Sequence, residues 1–238
     1  DGVGAKIHSV RVRASMGGTD WLAFASADRW LISKHFELGT TNDIQKRPDY
    51  AFYGIGSDTR DAALSRYGAT TSNLRLNLRS SWGSSALETS LGYRQARFAE
   101  GGFGSDITVL EATDRGRWQA PPGYEHGYKA PVLQSRLVLD SRAPESRSET
   151  GARLELDFEE GADLRRAREA GWLRYGATAG VFYDLGARGR VFSLSASTEL
   201  VSQVGSREVP FTELGTLGGA NKMAGFREGR LRGESSAV

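Results

Sequence analysis

Apolar and polar residues alternate with a period of two in several separate stretches of the chain. Leu74, Leu76 and Leu78 are separated by Arg75 and Asn77, with Arg79 following; Leu154, Leu156 and Phe158 interleave with Arg153, Glu155, Asp157 and Glu159. Phe192, Leu194, Ala196 and Leu200 are interrupted by Ser193, Ser195, Ser197 and Glu199, and Leu87, Leu91 and Tyr93 by Glu88, Ser90 and Gly92. Successive side chains of a strand point to opposite faces, so each stretch reads as a strand with one apolar and one polar face. The pattern predicts strands near 5–15, 20–27, 29–40, 67–82, 85–98, 131–141, 150–160, 171–185 and 190–203. A final one begins near Arg232 and is cut by the end of the sequence.

From the third strand onward the predicted connections alternate in length. Longer ones fall at 41–66, 99–130, 161–170 and 204–231, and shorter ones at Gly83–Ser84, at 142–149 and at 186–189; the contrast is weakest between 142–149 and 161–170. Amphipathic antiparallel strands joined alternately by short turns and longer loops are the wiring of a transmembrane β-barrel, whose short turns face the periplasm. The rival reading of the same strands is a soluble β-sandwich binding module, which shows less regular connections.

Composition narrows the choice. The longest apolar runs are a handful of residues, whereas a helical span needs about 20. Barrel strands need only about 9–11 residues with every second one facing lipid, so a mean hydropathy of -0.44 is compatible with spanning. Thirty glycines against six prolines among 238 residues mark a turn-rich chain. With 31 basic and 29 acidic residues the net charge is +2, which argues against nucleic acid as a partner. The absence of cysteine excludes disulfides, thiolate metal sites and cysteine nucleophiles within the 238 residues. The sequence opens Asp1-Gly2-Val3, without a methionine or a signal peptide, and reads as an excerpt of a longer precursor.

Candidate chemistry is sparse. Gly54 and Gly56 suggest a phosphate cradle, but Thr59 stands where a third glycine is required and no amphipathic helix follows, so turn glycines are the better reading. His8, His35 and His126 have no metal-ligand spacing. No nucleophile elbow surrounds Ser84 or Ser85. The charged run Asp163–Glu169 is a solvated loop or a helical turn. Trp21, Trp30, Trp82 and Trp172 lie near predicted strand ends, as interfacial aromatics of a barrel or as ordinary core residues. No catalytic residue, cofactor or metal is expected, and the chain reads as a non-enzyme.

The most distinctive stretch is 209–233, with six glycines and three arginines. Glycine weakens strand and helix interiors, and each guanidinium needs a partner or water. The competing reading is a disordered external loop. Phe211, Leu214, Leu217 and Phe226 would be costly to expose together, which favours a loop folded back into a lumen, where Glu155, Asp157 and Glu199 are available to Arg227, Arg230 and Arg232.

The order of residues here resembles the inward-folded loop of the outer-membrane assembly and two-partner secretion superfamily, the bacterial surface antigen barrels of BamA and TamA type. The pieces are Pro210-Phe211, Leu217-Gly218-Gly219, Ala224-Gly225-Phe226 with Arg227, and Gly229-Arg230-Leu231-Arg232-Gly233. Phe52-Tyr53-Gly54-Ile55-Gly56 is similar to that superfamily's segment leading into a strand from an external loop. Leu137 to Arg142 with the strand returning from Gly151 is similar to its Asp-Thr-Arg strand, with Ser141 in place of the threonine. The resemblance touches about 50–233, while 1–40 is placed by continuity.

It implies an all-β fold, an antiparallel transmembrane β-barrel domain over 1–238, incomplete at the C-terminus and at the N-terminus, taken from a sixteen-stranded barrel. It further implies a bacterial outer-membrane location, outer-membrane lipid as surroundings, and insertion or export of client or passenger proteins, with periplasmic POTRA domains or accessory subunits outside the sequence. A barrel anchoring or exporting a fused enzyme such as a patatin-like lipase is the alternative within the same superfamily. Where the superfamily's loop has an arginine that docks on an acidic site of the wall, this chain has Ala224, which leaves Arg227 or Arg230 as the replacement.

Overall fold

The computed structural model describes residues 6–17, 20–57, 59–142, 150–165, 169–186, 190–219, 223 and 225–237. Nine consecutive strands pair antiparallel with their sequence neighbours: β1 (Lys6–Met16), β2 (Leu22–Leu31), β3 (Phe36–Phe52), β4 (Ser65–Trp82), β5 (Ser85–Glu100), β6 (Tyr128–Asp140), β7 (Gly151–Ala162), β8 (Gly171–Asp184) and β9 (Val191–Val204). A short hairpin, β10 (Gly215–Leu217) with β11 (Leu231–Gly233), lies in the last long connection, after which β12 (Ser235–Ala237) pairs with β9. The result is one large sheet, all antiparallel, with β1 and β12 at its edges among the described residues.

Two strands differ from the pattern-based placement. The break expected at residue 28 lies at 32–35, and β3 continues through 41–52, which had been assigned to a loop; Asn42 sits mid-strand between Ser26 and Leu74. This stretch, Thr41 to Pro48, carries little apolar alternation. Pro48 is accommodated at a register shift between Arg47 and Tyr50, as a bulge allows. Phe52-Tyr53-Gly54 accordingly leaves a strand instead of entering one. The connection 163–170 is no longer than 141–150, so the alternation of lengths rests on 53–64, 101–127 and 205–234. The 101–127 connection also holds a short helix, α1 (Val109–Asp114), started by reciprocal bonds between Thr108 and Glu111.

Register gives the two faces opposite characters. One row runs Leu38–Leu78–Thr89–Ser135–Phe158–Tyr175–Leu200, and a neighbouring row Thr40–Leu76–Leu91–Leu133. Nothing among the described residues packs on this face: Leu74, Leu76, Leu91, Val181, Phe192 and Leu194 are each at least half exposed. The opposite face carries Arg75, Asn77, Glu88, Ser90, Arg136, Glu155, Asp157, Glu159, Arg174 and Glu199, and onto its long-loop end fold the connections. The core sits there, in two clusters, one around Tyr128, Trp172 and Val201, the other around Phe52, Tyr67 and Phe211.

Candidate functional site at the loop–sheet contact

Strand alternation puts Arg94 (β5), Gln134 (β6), Glu159 (β7) and Arg174 (β8) on the covered face, and register sets Glu159 directly opposite both Gln134 and Arg174. Arg94 reaches past β6, whose side chains at that level are the small Ala130 and Val132, to form a two-pronged contact with Glu159, Nη1 to Oε1 at 3.2 Å and Nη2 to Oε2 at 3.0 Å. Arg174 Nη1 donates to Glu159 Oε1 at 2.8 Å and Trp172 Nε1 to the same oxygen at 2.9 Å; Gln134 Nε2 donates to Oε2. Trp172 is fully buried, so it is a core residue and not an interfacial one. It lies across Gly161, where a Cβ would fall 2.3 Å from the indole ring.

Into this wall the loop inserts a carboxylate. Pro210 and a one-turn 3-10 helix, Phe211–Glu213, turn the chain inward. Glu213, 3% exposed, accepts from Arg94 Nη1 and from the Tyr128 hydroxyl, and Arg174 Nη2 reaches both its Oε2 (3.2 Å) and its backbone oxygen (2.5 Å). Two arginines therefore hold two glutamates, one from the wall and one from the loop. Buried ion pairs need this many hydrogen bonds to offset desolvation.

Around the carboxylate the loop is apolar. Phe211 is completely buried between Phe98 (centroid distance 4.9 Å), Tyr67 (5.2 Å), Phe52 (5.5 Å) and Tyr124 (6.2 Å). Burial pushes the Tyr124 hydroxyl, which donates to the Ala99 carbonyl, up to about 12. Val209 and Leu214 join the Trp172 cluster, whereas Phe226 is 47% exposed and belongs to neither cluster.

The glycines serve the hairpin. Gly218 has φ +114° and a Cβ there would meet the Arg227 carbonyl oxygen at 2.0 Å; Gly219 (φ +89°) bonds Phe226 O through its N–H at 2.8 Å. Gly229 also has positive φ, Gly233 closes β11 opposite Gly215, and Gly225 lies in the turn before Phe226. Ala224 lies outside the described residues.

The loop arginines do not end on Glu155, Asp157 or Glu199. Arg230 donates to Asp61 Oδ1 (2.5 Å), Thr59 Oγ1 (2.7 Å) and Thr59 O (2.6 Å), and its guanidinium lies 5.1 Å from the Tyr53 ring centroid. Arg232 is buried, donates to the Phe211 carbonyl, and is held beside the Phe211 ring; burial pulls its proton affinity below the ordinary arginine range. Arg227 is exposed. Wall carboxylates Glu155 and Asp157 bind Arg153 and Arg136 instead. A further link joins the two connections through Gly56 N–H and the Arg232 carbonyl (2.7 Å).

Arg94, Arg174 and Glu213 were missed by sequence reading. The register of β7 and β8 would have exposed the Glu159–Arg174 pair, while Arg94 lies two strands away and Glu213 is fixed only by the tertiary course of the loop. Beyond the cluster, toward the short turns, a polar groove of about 410 Å³ follows the same face past Arg75, Ser90, Asp157 and Thr178. No family model, curated protein or solved structure matches this chain.

Proposed function

We propose that the chain is part of an outer-membrane β-barrel whose inward loop and polar inner wall serve protein insertion or export. The carrying observation is the bare face and its boundaries. On it, Leu74–Trp82, Pro131–Leu139, Tyr175–Tyr183 and Phe192–Leu200 each run about nine residues, the length a tilted barrel strand needs to cross the hydrocarbon. At the loop end charged residues stand on the outward positions of several strands: Lys46 and Arg97 share a row through Thr70, and Lys129 and Glu160 come next after Pro131 on β6 and Phe158 on β7. At the short-turn end stand exposed aromatics, Phe36, Trp82, Tyr183 and Phe192, as in an interfacial girdle. A soluble sandwich would cover this face with a second sheet; the described residues form one large sheet, with the wet face carrying the folded loop.

Protein handling is supported by the resemblance of the loop and by its position on a polar wall. Lipid is the outward partner and a client or passenger polypeptide the inward one. The test uses the full-length protein in its cells, with single cysteines at Arg115 in the 101–127 connection and at Lys34 in the 32–35 turn, both exposed. Arg115→Cys reacts with an impermeant thiol reagent on intact cells, and Lys34→Cys reacts only after lysis, both cofractionating with membranes. Recovery in the soluble fraction, or the reverse labelling, refutes the reading.

A further inference from the structure

We propose that Arg94, Arg174 and the Tyr128 hydroxyl form a carboxylate-binding site on the wall, that Glu213 occupies it as a built-in ligand, and that an acidic side chain of a polypeptide passing along the wall is the competing occupant. The second half rests on the protein-handling reading above; the first stands on geometry alone. Three donors from three strands converge on one carboxylate. Of the acceptors these arginines hold, Glu159 belongs to the wall and stays with it, bound also by Gln134 and Trp172. Glu213 alone arrives on the loop.

Charge makes the site an anion receptor once the loop leaves. Arg94 and Arg174 carry two positive charges against the single negative charge of Glu159, and Tyr128 retains a hydroxyl that had donated to Glu213. A withdrawn loop leaves that excess cation on the wall, beside a groove lined by Glu88, Glu155, Asp157 and Glu199 as well as by Arg75 and Arg136, so that the Arg94–Arg174 pair is the point of this face at which an acidic side chain is held. The tether gives Glu213 an effective concentration of about millimolar, which a free monocarboxylate at comparable concentration does not overcome without the loop's other contacts being lost. A segment bringing an acidic residue together with further contacts competes on better terms. Loop withdrawal is then coupled to the acidity of the arriving chain.

Chemical rescue tests the receptor directly. Glu213→Ala removes the atoms of one acetate ion and leaves the three donors facing a hole. In the full-length protein in detergent, the readout is trypsin cleavage at Arg227, which is exposed on the loop. Glu213→Ala accelerates cleavage about tenfold or more, and acetate at tens of millimolar restores protection where chloride at equal ionic strength does not, the distinction expected of a site and not of screening. Glu213→Gln fills the hole without the charge; it is cleaved faster than the parent and is not rescued. Cleavage of Glu213→Ala at the parental rate, or equal effects of acetate and chloride, overturns the receptor. Should Glu213→Ala fail to fold, parental protection in Glu213→Gln overturns it. The competitor is tested on the parent protein: a glutamate-rich peptide speeds cleavage and its glutamine counterpart does not. Rescue without peptide competition retains the receptor and removes its link to a passing chain.

Discussion

At the scale of single residues, the wall cluster shows how small positions place large ones. Trp172 can lie flat enough to bond Glu159 because Gly161, its cross-strand partner, has no side chain. Gly161→Ala forces the indole aside, and the expected loss is about 1–3 kcal/mol, as for overpacking a core, read as a lower midpoint in thermal or urea unfolding of the purified protein. Glu159→Leu goes further. It leaves Arg94 and Arg174 sharing only Glu213, and breaking a buried pair in this way costs about 3–5 kcal/mol. Stability equal to the parent in both variants would mean that the cluster does not hold the wall together. Little of this was legible in advance. Alternation placed Glu159 on the polar face, but one sequence does not say that an arginine two strands away will reach over two small residues to meet it.

The element that matters most is the 205–234 connection, and its anchors divide unequally. Phe211 is held by four aromatic rings and Arg230 by three hydrogen bonds to the 53–64 connection, whereas Phe226 and Arg227 are exposed. Phe211→Ala should therefore cost about 3–5 kcal/mol and free the loop, while Phe226→Ala changes little. Arg230→Ala removes bonds to Asp61 and Thr59 and exposes the 53–64 connection and the hairpin to protease; Arg227→Ala leaves both protected. Equal sensitivity of the two arginine variants would contradict the contacts. The fold-back was legible because Phe211, Leu214 and the glycines sit in one polar stretch that could not bury them alone. The sign of the docking charge was not. Attention falls naturally on three arginines, yet two of them serve the loop's own packing and its neighbour connection, and the group that meets the wall is the single carboxylate that follows Pro210-Phe211.

For the molecule as a whole, the sequence pattern announced a two-faced antiparallel sheet with nearly every strand in place, and failed over Thr41–Pro48, where alternation fails, and at the β2–β3 turn, expected at 28 and found at 32–35. The face that is bare makes the strongest demand on its surroundings. Leu76 lies in the middle of the apolar belt, half exposed, between Thr40 and Leu91 in the pairing row. Ser197 lies on the other face, beside the polar groove that Glu199 lines. If lipid covers the bare face, an arginine at Leu76 is moved toward the bilayer midplane, at a cost of about 2–4 kcal/mol, while an arginine at Ser197 meets water and carboxylates and changes stability by about 0.5 kcal/mol or less. Folding of the full-length protein into lipid vesicles, titrated with urea, measures both. In water alone the ranking would invert, because a charge at Leu76 would relieve an exposed apolar surface. A Leu76→Arg variant that folds into vesicles as readily as Ser197→Arg would therefore exclude a membrane on that face.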